Sequence, residues 1–313
     1  MGIVDSATGK EKKYSAAEIS EIARRARGYV LLAIGFAGSG HPGGSLSMMD
    51  YLATLYFNVL RHDPKNPKWV ERDRLFLSAQ HKCPAQYALL GMAGYFPVEE
   101  FVVGLRVLGT PFQGHPDWLK CKGIEMSGGS LGQGLSIAVG DALAARLDVR
   151  KNRVYCIMGD GEQQEGSIWE AVMAAAHYNL DNLCGVIDVN RLQIDGWTKD
   201  VMNVEPLVEK YRAFGWHAIE CDGHDVEALL RAFDEAARTK GKPTAIIART
   251  VKGKGVSFME NMAEWHGKAQ NIEQTRLALR ELGLEEMLSP ELERRAKELR
   301  AHVARQYGNL IPP

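Results

Sequence analysis

From residue 153 onward the hydrophobic positions fall into a regular alternation. Four short apolar runs stand out: RVYCIMGD (153–160), LCGVIDV (183–189), WHAIEC (216–221) and PTAIIART (243–250). Between them, in SIWEAVMAAAHYN (167–179), VEPLVEKYRAFG (204–215) and VEALLRAFDEAART (226–239), apolar residues recur every three or four positions. Unbroken short runs predict buried strands, and the longer period predicts amphipathic helices. Their alternation predicts an α/β fold of βαβ units, a mainly parallel sheet with helices on both faces.

The first half is less regular. A helix is expected over 15–38, stopping at Gly38-Ser39-Gly40, and a second over 45–60 with Ser45 as its cap. Asp63 to Pro67 reads as a turn, DRLFLS (73–78) as a strand and PAQYALLGMAGY (84–95) as a helix. Residues 104–134 hold eight glycines with little periodicity and read mostly as loop, before helix returns in LSIAVGDALAARL (135–147). The stretch from Ile272 to Tyr307 is charged and helical, a surface or interface element. The organisation expected is one domain over residues 1–270 with a C-terminal helical extension over 271–313.

Composition narrows the function classes. The 313 residues are 45% hydrophobic and 25% charged, with a net charge of −1. This is a globular profile without the basic excess of a nucleic-acid binder. No apolar stretch approaches the roughly 20 residues that cross a bilayer, and the polar N-terminus has no signal-peptide core. The five cysteines are scattered without a CxxC pair, which points to reduced thiols and a cytoplasmic setting. Cys156 and Cys184, inside apolar runs, are expected to be core residues.

Candidate chemistry concentrates where strands end. In an open parallel sheet, ligands sit beyond the carboxyl ends of the strands. Asp160 and Asn190 both fall at such ends, joined by one helix, so neighbouring strand tips are expected. Two side-chain oxygens there suit a hard cation such as Mg²⁺, which binds through few protein oxygens plus phosphate and water. Gly161 allows a phosphate close to the backbone, and the following turn offers free N–H groups. The plainer reading makes Asp160 a turn cap; the GDG-to-Asn span outweighs it. MSGGSLGQG (126–134) is a second glycine-rich loop able to hold phosphate, and it is not a Walker loop because no Lys-Ser/Thr follows.

Four of nine histidines, His41, His81, His115 and His266, sit in loops beside glycine, proline or polar residues. Together they suggest one pocket in which imidazoles bind sugar hydroxyls and move protons near neutral pH. Their wide spacing does not match a zinc motif. His62, His177, His217 and His224 have weaker claims, and His177 is expected to pack within its helix. Trp197 and Trp216 are expected to be core or interface aromatics. The basic TVKGKG (250–255) reads equally as a phosphate holder and as a solvated loop.

Taken together, these segments resemble the transketolase family. The resemblance runs through GSGHPGGSLSMMDYLATLYFNVLRHDPKNPKWVERDRLFLS, QGHPD, GGSLGQGLSIAVGDALA, GDGEQQEG, LQIDG, FGWHAIECDGHD and TVKGKGVSFME, in family order, from about Tyr14 to Gln270. It implies a thiamine-diphosphate-binding fold. Asp160, Asn190 and the carbonyl of Leu192 would ligate Mg²⁺ (or Ca²⁺). Gly129, Leu131, Gly161, Asn190, His81 and His266 would contact the cofactor. His41, His115 and His266 would bind the sugar, and all four histidines would assist catalysis. Glu165 matches a glutamate near a subunit interface.

The activity implied is ketol transfer, from a ketose phosphate such as xylulose 5-phosphate to an aldose phosphate such as ribose 5-phosphate, in the pentose phosphate pathway. A typical family chain is about twice as long, and no region here resembles its pyrimidine-binding half. The resemblance therefore implies the N-terminal subunit of a split transketolase, completed by a C-terminal subunit in an α₂β₂ assembly, with no nucleic-acid or membrane partner. Two readings compete: a subunit resembling deoxyxylulose-phosphate synthase, or a non-catalytic cofactor-binding subunit. A nicotinamide dehydrogenase is disfavoured because no GxGxxG opens the first βαβ unit. SAQHKCP (78–84) departs from the family pattern, which has small residues around that histidine. Lys82 is expected either to touch a phosphate or to point to solvent.

Overall fold

The computed structural model describes residues 2–307; Met1 and the last six residues of the expected extension lie outside them. A short antiparallel pair, β1 (Ile3–Val4) and β2 (Glu11–Lys12), precedes α1 (Ala16–Ala37). A reciprocal capping box between Ser15 and Glu18 opens α1, and Gly38 closes it in the left-handed region at φ 61°. The helix expected over 45–60 is instead broken into α2 (Pro42–Ser47), α3 (Met49–Thr54) and one π turn over Leu55–Val59. It starts at Pro42 behind His41, and the Ser45 hydroxyl donates back to the His41 carbonyl rather than capping. Strand β3 (Arg74–Leu77) follows, then α4 (Cys83–Ala93) and α5 (Val98–Gly104), which was not expected.

After the glycine-rich loop the alternation appears as anticipated: α6 (Gln133–Leu147), β4 (Val154–Gly159), α7 (Gly166–His177) and β5 (Leu183–Val189). Next come a small hairpin, β6 (Leu192–Gln193) with β7 (Gly196–Trp197), then α8 (Thr198–Val201), α9 (Leu207–Ala213), β8 (His217–Asp222), α10 (Val226–Arg238) and β9 (Thr244–Arg249). The sheet is five-stranded and wholly parallel, in the order β3-β4-β5-β9-β8. Every residue of β4 and β5 is buried, as central strands covered on both faces require. Two apolar cores lie on either side of the sheet, one around α1, α3 and α4, the other around α6, α7 and Trp216. Cys156 and Cys184 are fully buried core residues.

The chain ends in α11 (Ile272–Glu281) and α12 (Pro290–Tyr307). Both pack back on the first half. Gly35 of α1 abuts Thr275, and Arg300 donates to the carbonyls of Val103 and Leu105. Among the described residues no helix is long and apolar enough to cross a membrane. Trp216 is buried, whereas Trp197 is part-exposed. His177 does not pack within its helix as expected: it sits exposed at the end of α7, against Tyr178.

Candidate active site

Strands β4 and β5 are neighbours in register, Gly159 opposite Asp188, so Asp160 and Asn190 do emerge at adjacent tips. Both are buried. Asp160 Oδ1 accepts the Gly161 N–H at 2.8 Å, and Oδ2 accepts the Arg191 N–H. The carboxylate thus does cap its turn, and it also ties the two strand tips together. Arg191 takes a left-handed φ of 67°, rare for a residue with a side chain. That turn sends the chain back as the β6–β7 hairpin and brings the Leu192 carbonyl onto the same cleft, where Lys252 Nζ donates to it at 3.0 Å. Asn190 Oδ1 accepts the Leu192 N–H at 3.1 Å.

The cleft at these tips has a volume of about 200 Å³. Its lining includes Leu131, Asp160, Gly161, Asn190 and Leu192 together with His81, Lys82, Lys252, His266 and the exposed Glu165. Burial, and then the charge of Asp188, push the Asp160 carboxyl up to about 6. Burial and the Lys82 charge bring the Lys252 ammonium down to about 8.

Three of the four singled-out histidines form one cluster. Ring centroids are 5.2 Å apart for His41–His81, 5.8 Å for His41–His266 and 5.1 Å for His81–His266. His115 is exposed beside this cluster, its ring facing the backbone of Gly129. Gly129 is likewise exposed and is not part of the cleft lining. Burial is the main reason the imidazoles lose basicity. His41 falls to about 4, with Arg106 adding to the effect, and His266 to about 3, with Lys252 adding. His81 lies well below its usual value, and His115 is lowered too.

Several residues that sequence reasoning passed over prove central. Arg106, itself in the left-handed region at φ 56°, donates to Ser39 Oγ at 2.8 Å and reaches His41 Nδ1 at 3.4 Å. Buried Glu162 accepts the backbone N–H of Gly132 at 2.8 Å and of Gly159 at 2.9 Å, together with the Ser78 hydroxyl. It thereby joins the glycine-rich loop to the tips of β3 and β4. Gly132, at φ 84°, makes the turn into α6 that presents its N–H there. Lys82 neither points to solvent nor stands free for a phosphate: it is buried and ion-paired with Asp188. The departures on either side of His81 also face inward. Gln80 donates to the Met126 carbonyl, and the Cys83 thiol lies against the Gln113 and Gly114 carbonyls. Of the motif TVKGKG, Lys252 is buried in the cleft rather than solvated.

A parallel sheet with a carboxylate, an amide and a carbonyl at adjoining tips, facing an imidazole cluster, defines an α/β domain built to bind a polar ligand beyond its strand ends. Comparison with known proteins gives the family. Residues 19–306 match the family model described as transketolase, thiamine diphosphate binding domain, and the chain belongs to that family. It is 47% identical over 249 residues to 6-deoxy-6-sulfo-D-fructose transketolase subunit SqwG of Clostridium sp. (strain MSTE9), covering 80% of this chain and 90% of that one. It is 44% identical over 246 residues to an apulose-4-phosphate transketolase subunit of Phocaeicola vulgatus, covering 79% and 87%. The transketolase from Leishmania mexicana superposes with a TM-score of 0.82 at 31% identity, over 95% of this chain but only 46% of that longer one.

Proposed function

We propose that the chain is the cofactor-binding subunit of a two-chain transketolase, moving a two-carbon ketol unit between sugar phosphates. The observation that carries this is the joining, in one cleft, of the Asp160–Asn190–Leu192 oxygens with the imidazoles of His81 and His266. Relatives of nearly the same length are named as transketolase subunits, which supports a separate partner chain; the assembly we propose for the pair is α₂β₂.

The residues fit a hard divalent cation. Asp160 supplies the charge, and the Asn190 amide and the Leu192 carbonyl supply neutral oxygens, leaving room for diphosphate oxygens and water, as Mg²⁺ prefers. Ca²⁺ is served by the same oxygens at longer distance. Among the described residues no group of three His, Cys, Asp or Glu is placed to hold a metal ion. Lys252 adds an ammonium for the diphosphate, with Gly161 and Leu131 beside it. When bound, thiamine diphosphate supplies the carbon nucleophile of ketol transfer.

The protein's own part is binding and proton handling. At neutral pH the lowered basicity of His41, His81 and His266 keeps them neutral, so each ring both donates and accepts. Neutral imidazoles 5–6 Å apart suit the hydroxyls and carbonyl of a sugar, and pass a proton without holding it. Arg106, next to His41 and near His115, places a permanent cation toward the anionic end of the substrate. Glu165, in the cleft lining and exposed, is available to a partner chain.

The test is ketol transfer with thiamine diphosphate and Mg²⁺, run on this chain alone and with the chain that co-purifies with it. Xylulose 5-phosphate with ribose 5-phosphate is the first pair; sulfofructose and apulose 4-phosphate follow as alternative ketoses. Activity only in the mixture supports the two-chain reading. Full turnover by this chain alone refutes it, and decarboxylation of pyruvate by the mixture would favour the synthase-like alternative.

A further inference from the structure

At the floor of the cleft lies a buried ion pair that the proposed chemistry leaves unused. Lys82 Nζ and Asp188 Oδ2 meet at 2.6 Å, with side chains 4% and 0% exposed. Asp188 gathers three more donors: Ser47 Oγ at 2.7 Å and Asn190 Nδ2 at 3.0 Å on Oδ2, and Thr250 Oγ1 at 2.6 Å on Oδ1. The lysine stem reaches this position because residue 44 has no side chain. A Cβ on Gly44 would stand 2.9 Å from Lys82 Cε and 3.1 Å from its Cγ.

We propose that Lys82 is a positioning residue for the cation site: seated over Gly44, it anchors the Asp188 carboxylate, which turns the Asn190 amide so that its oxygen faces the cleft. The inference rests on the cation reading given above. An amide can sit either way round, but a carboxylate accepts hydrogen bonds and does not donate them. Asp188 therefore holds the NH₂ end of Asn190, leaving Oδ1 beside the Leu192 N–H with a lone pair for a cation. Lys82 makes the charge-assisted bond on the same oxygen, the stronger kind of contact, and so fixes where that oxygen lies. Without it, a fully buried carboxylate is held only by the neutral donors of Ser47, Thr250 and Asn190, and its charge competes with Asn190 for the incoming cation. The effect of Lys82 on the cation site passes through two hydrogen bonds, Lys82 to Asp188 and Asn190 to Asp188.

The experiment follows thiamine diphosphate binding to the chain in complex with its co-purifying partner, by calorimetric titration at a series of Mg²⁺ concentrations. It compares wild type, Lys82→Met, Gly44→Ala, Lys82→Ala and the Gly44→Ala/Lys82→Ala double variant, with ligand-free melting temperatures alongside. Disturbing partners that orient metal ligands commonly weakens metal affinity by about 10–100-fold. Lys82→Met is thus expected to raise the Mg²⁺ concentration for half-maximal binding about tenfold or more, with cofactor affinity regained at saturating Mg²⁺. Gly44→Ala, whose methyl displaces the lysine stem, is expected to give the same shift, and to add nothing once Lys82 is alanine. Wild-type Mg²⁺ dependence in both Lys82→Met and Gly44→Ala overturns the inference. So does weakening that persists at saturating Mg²⁺, the mark of a generally loosened cleft. Wild-type protein that binds the cofactor without regard to Mg²⁺ removes the cation reading itself, a result distinct from unchanged variants.

Discussion

Replacing Glu162 by glutamine removes one charge and changes one atom's hydrogen-bonding role, yet the structure gives it a definite cost. The glutamate oxygens together accept two backbone N–H groups and a hydroxyl, all in a buried setting. A glutamine must turn its NH₂ toward one of the two N–H groups. If it faces Gly159, that N–H has no acceptor; if it faces Gly132, that one has none. The Ser78 hydroxyl can reverse its role, so it does not add to the loss. One buried donor without a partner costs about 1–3 kcal/mol. Taking about 2.1 cal/mol/K per residue for the unfolding entropy, a chain of 313 residues changes stability by about 0.7 kcal/mol per degree near its midpoint. The expected fall in melting temperature is therefore about 2–5 °C. Differential scanning calorimetry of the two purified chains reads it directly. Because the orphaned group lies on the glycine-rich loop or on the tip of β4, thiamine diphosphate affinity should fall as well. A Glu162→Gln chain that melts within half a degree of wild type and binds the cofactor unchanged would show that Glu162 does not join these segments.

Other consequences are open to measurement. With Asp160 up at about 6, Mg²⁺ must displace a proton below that pH; apparent Mg²⁺ affinity should fall about tenfold per pH unit below 6 and level off above it, with proton release seen by titration in two buffers. His41 and His266 hold fewer protons when folded than when unfolded, so stability is at its full value above about 6.5 and declines as pH falls toward 4; urea midpoints that stay flat from pH 7 to 4.5 would contradict this. Asp50, held down at about 2 by Arg27 and His224 against the effect of burial, keeps Arg27 neutralised; Asp50→Asn is expected to lose about 3–5 kcal/mol in urea unfolding. Arg106→Met should raise the KM for phosphorylated sugars more than tenfold while leaving cofactor affinity alone, and an equal loss with a neutral substrate such as unphosphorylated erythrulose would deny it a role toward the anionic end.

Much of this was legible in the chain because it is local. The helix over 15–38, its stop at Gly38 and the four strands from Val154 onward follow from spacing and turn chemistry within a few residues. The pairing of Asp160 with Asn190 was legible for a related reason, since one helix between two parallel strands usually makes them neighbours. What escaped depends on residues that meet only in three dimensions. The 45–60 helix breaks at Met48 and again at the π turn, in a segment that is almost wholly buried, where helical period no longer separates inside from outside. Lys82 reads as a phosphate contact or a solvated side chain because its partner, Asp188, is 106 positions away. Arg106 carried no motif at all; its one signal was a basic residue in a loop between the helix and His115. Glu162 stood within GDGEQQEG, but nothing in that string tells which of its acidic residues turns inward.

The strand order has a bearing on how the chain comes into being. Strand β5, buried along its whole length, is flanked by β4 and β9, and β9 is made after β8. As the polypeptide leaves the ribosome, one edge of β5 therefore has no lasting neighbour until residues 244–249 have been synthesised, and β8 has no strand partner until then. An open apolar edge of this kind invites pairing with other chains. The same late arrival governs the cleft, since Lys252 and His266 both come after β9 in the chain. The nascent protein is thus expected to need protection by chaperones over the span from β5 to β9, and a ribosome stalled anywhere in it would leave a chain with a half-made sheet and no binding site.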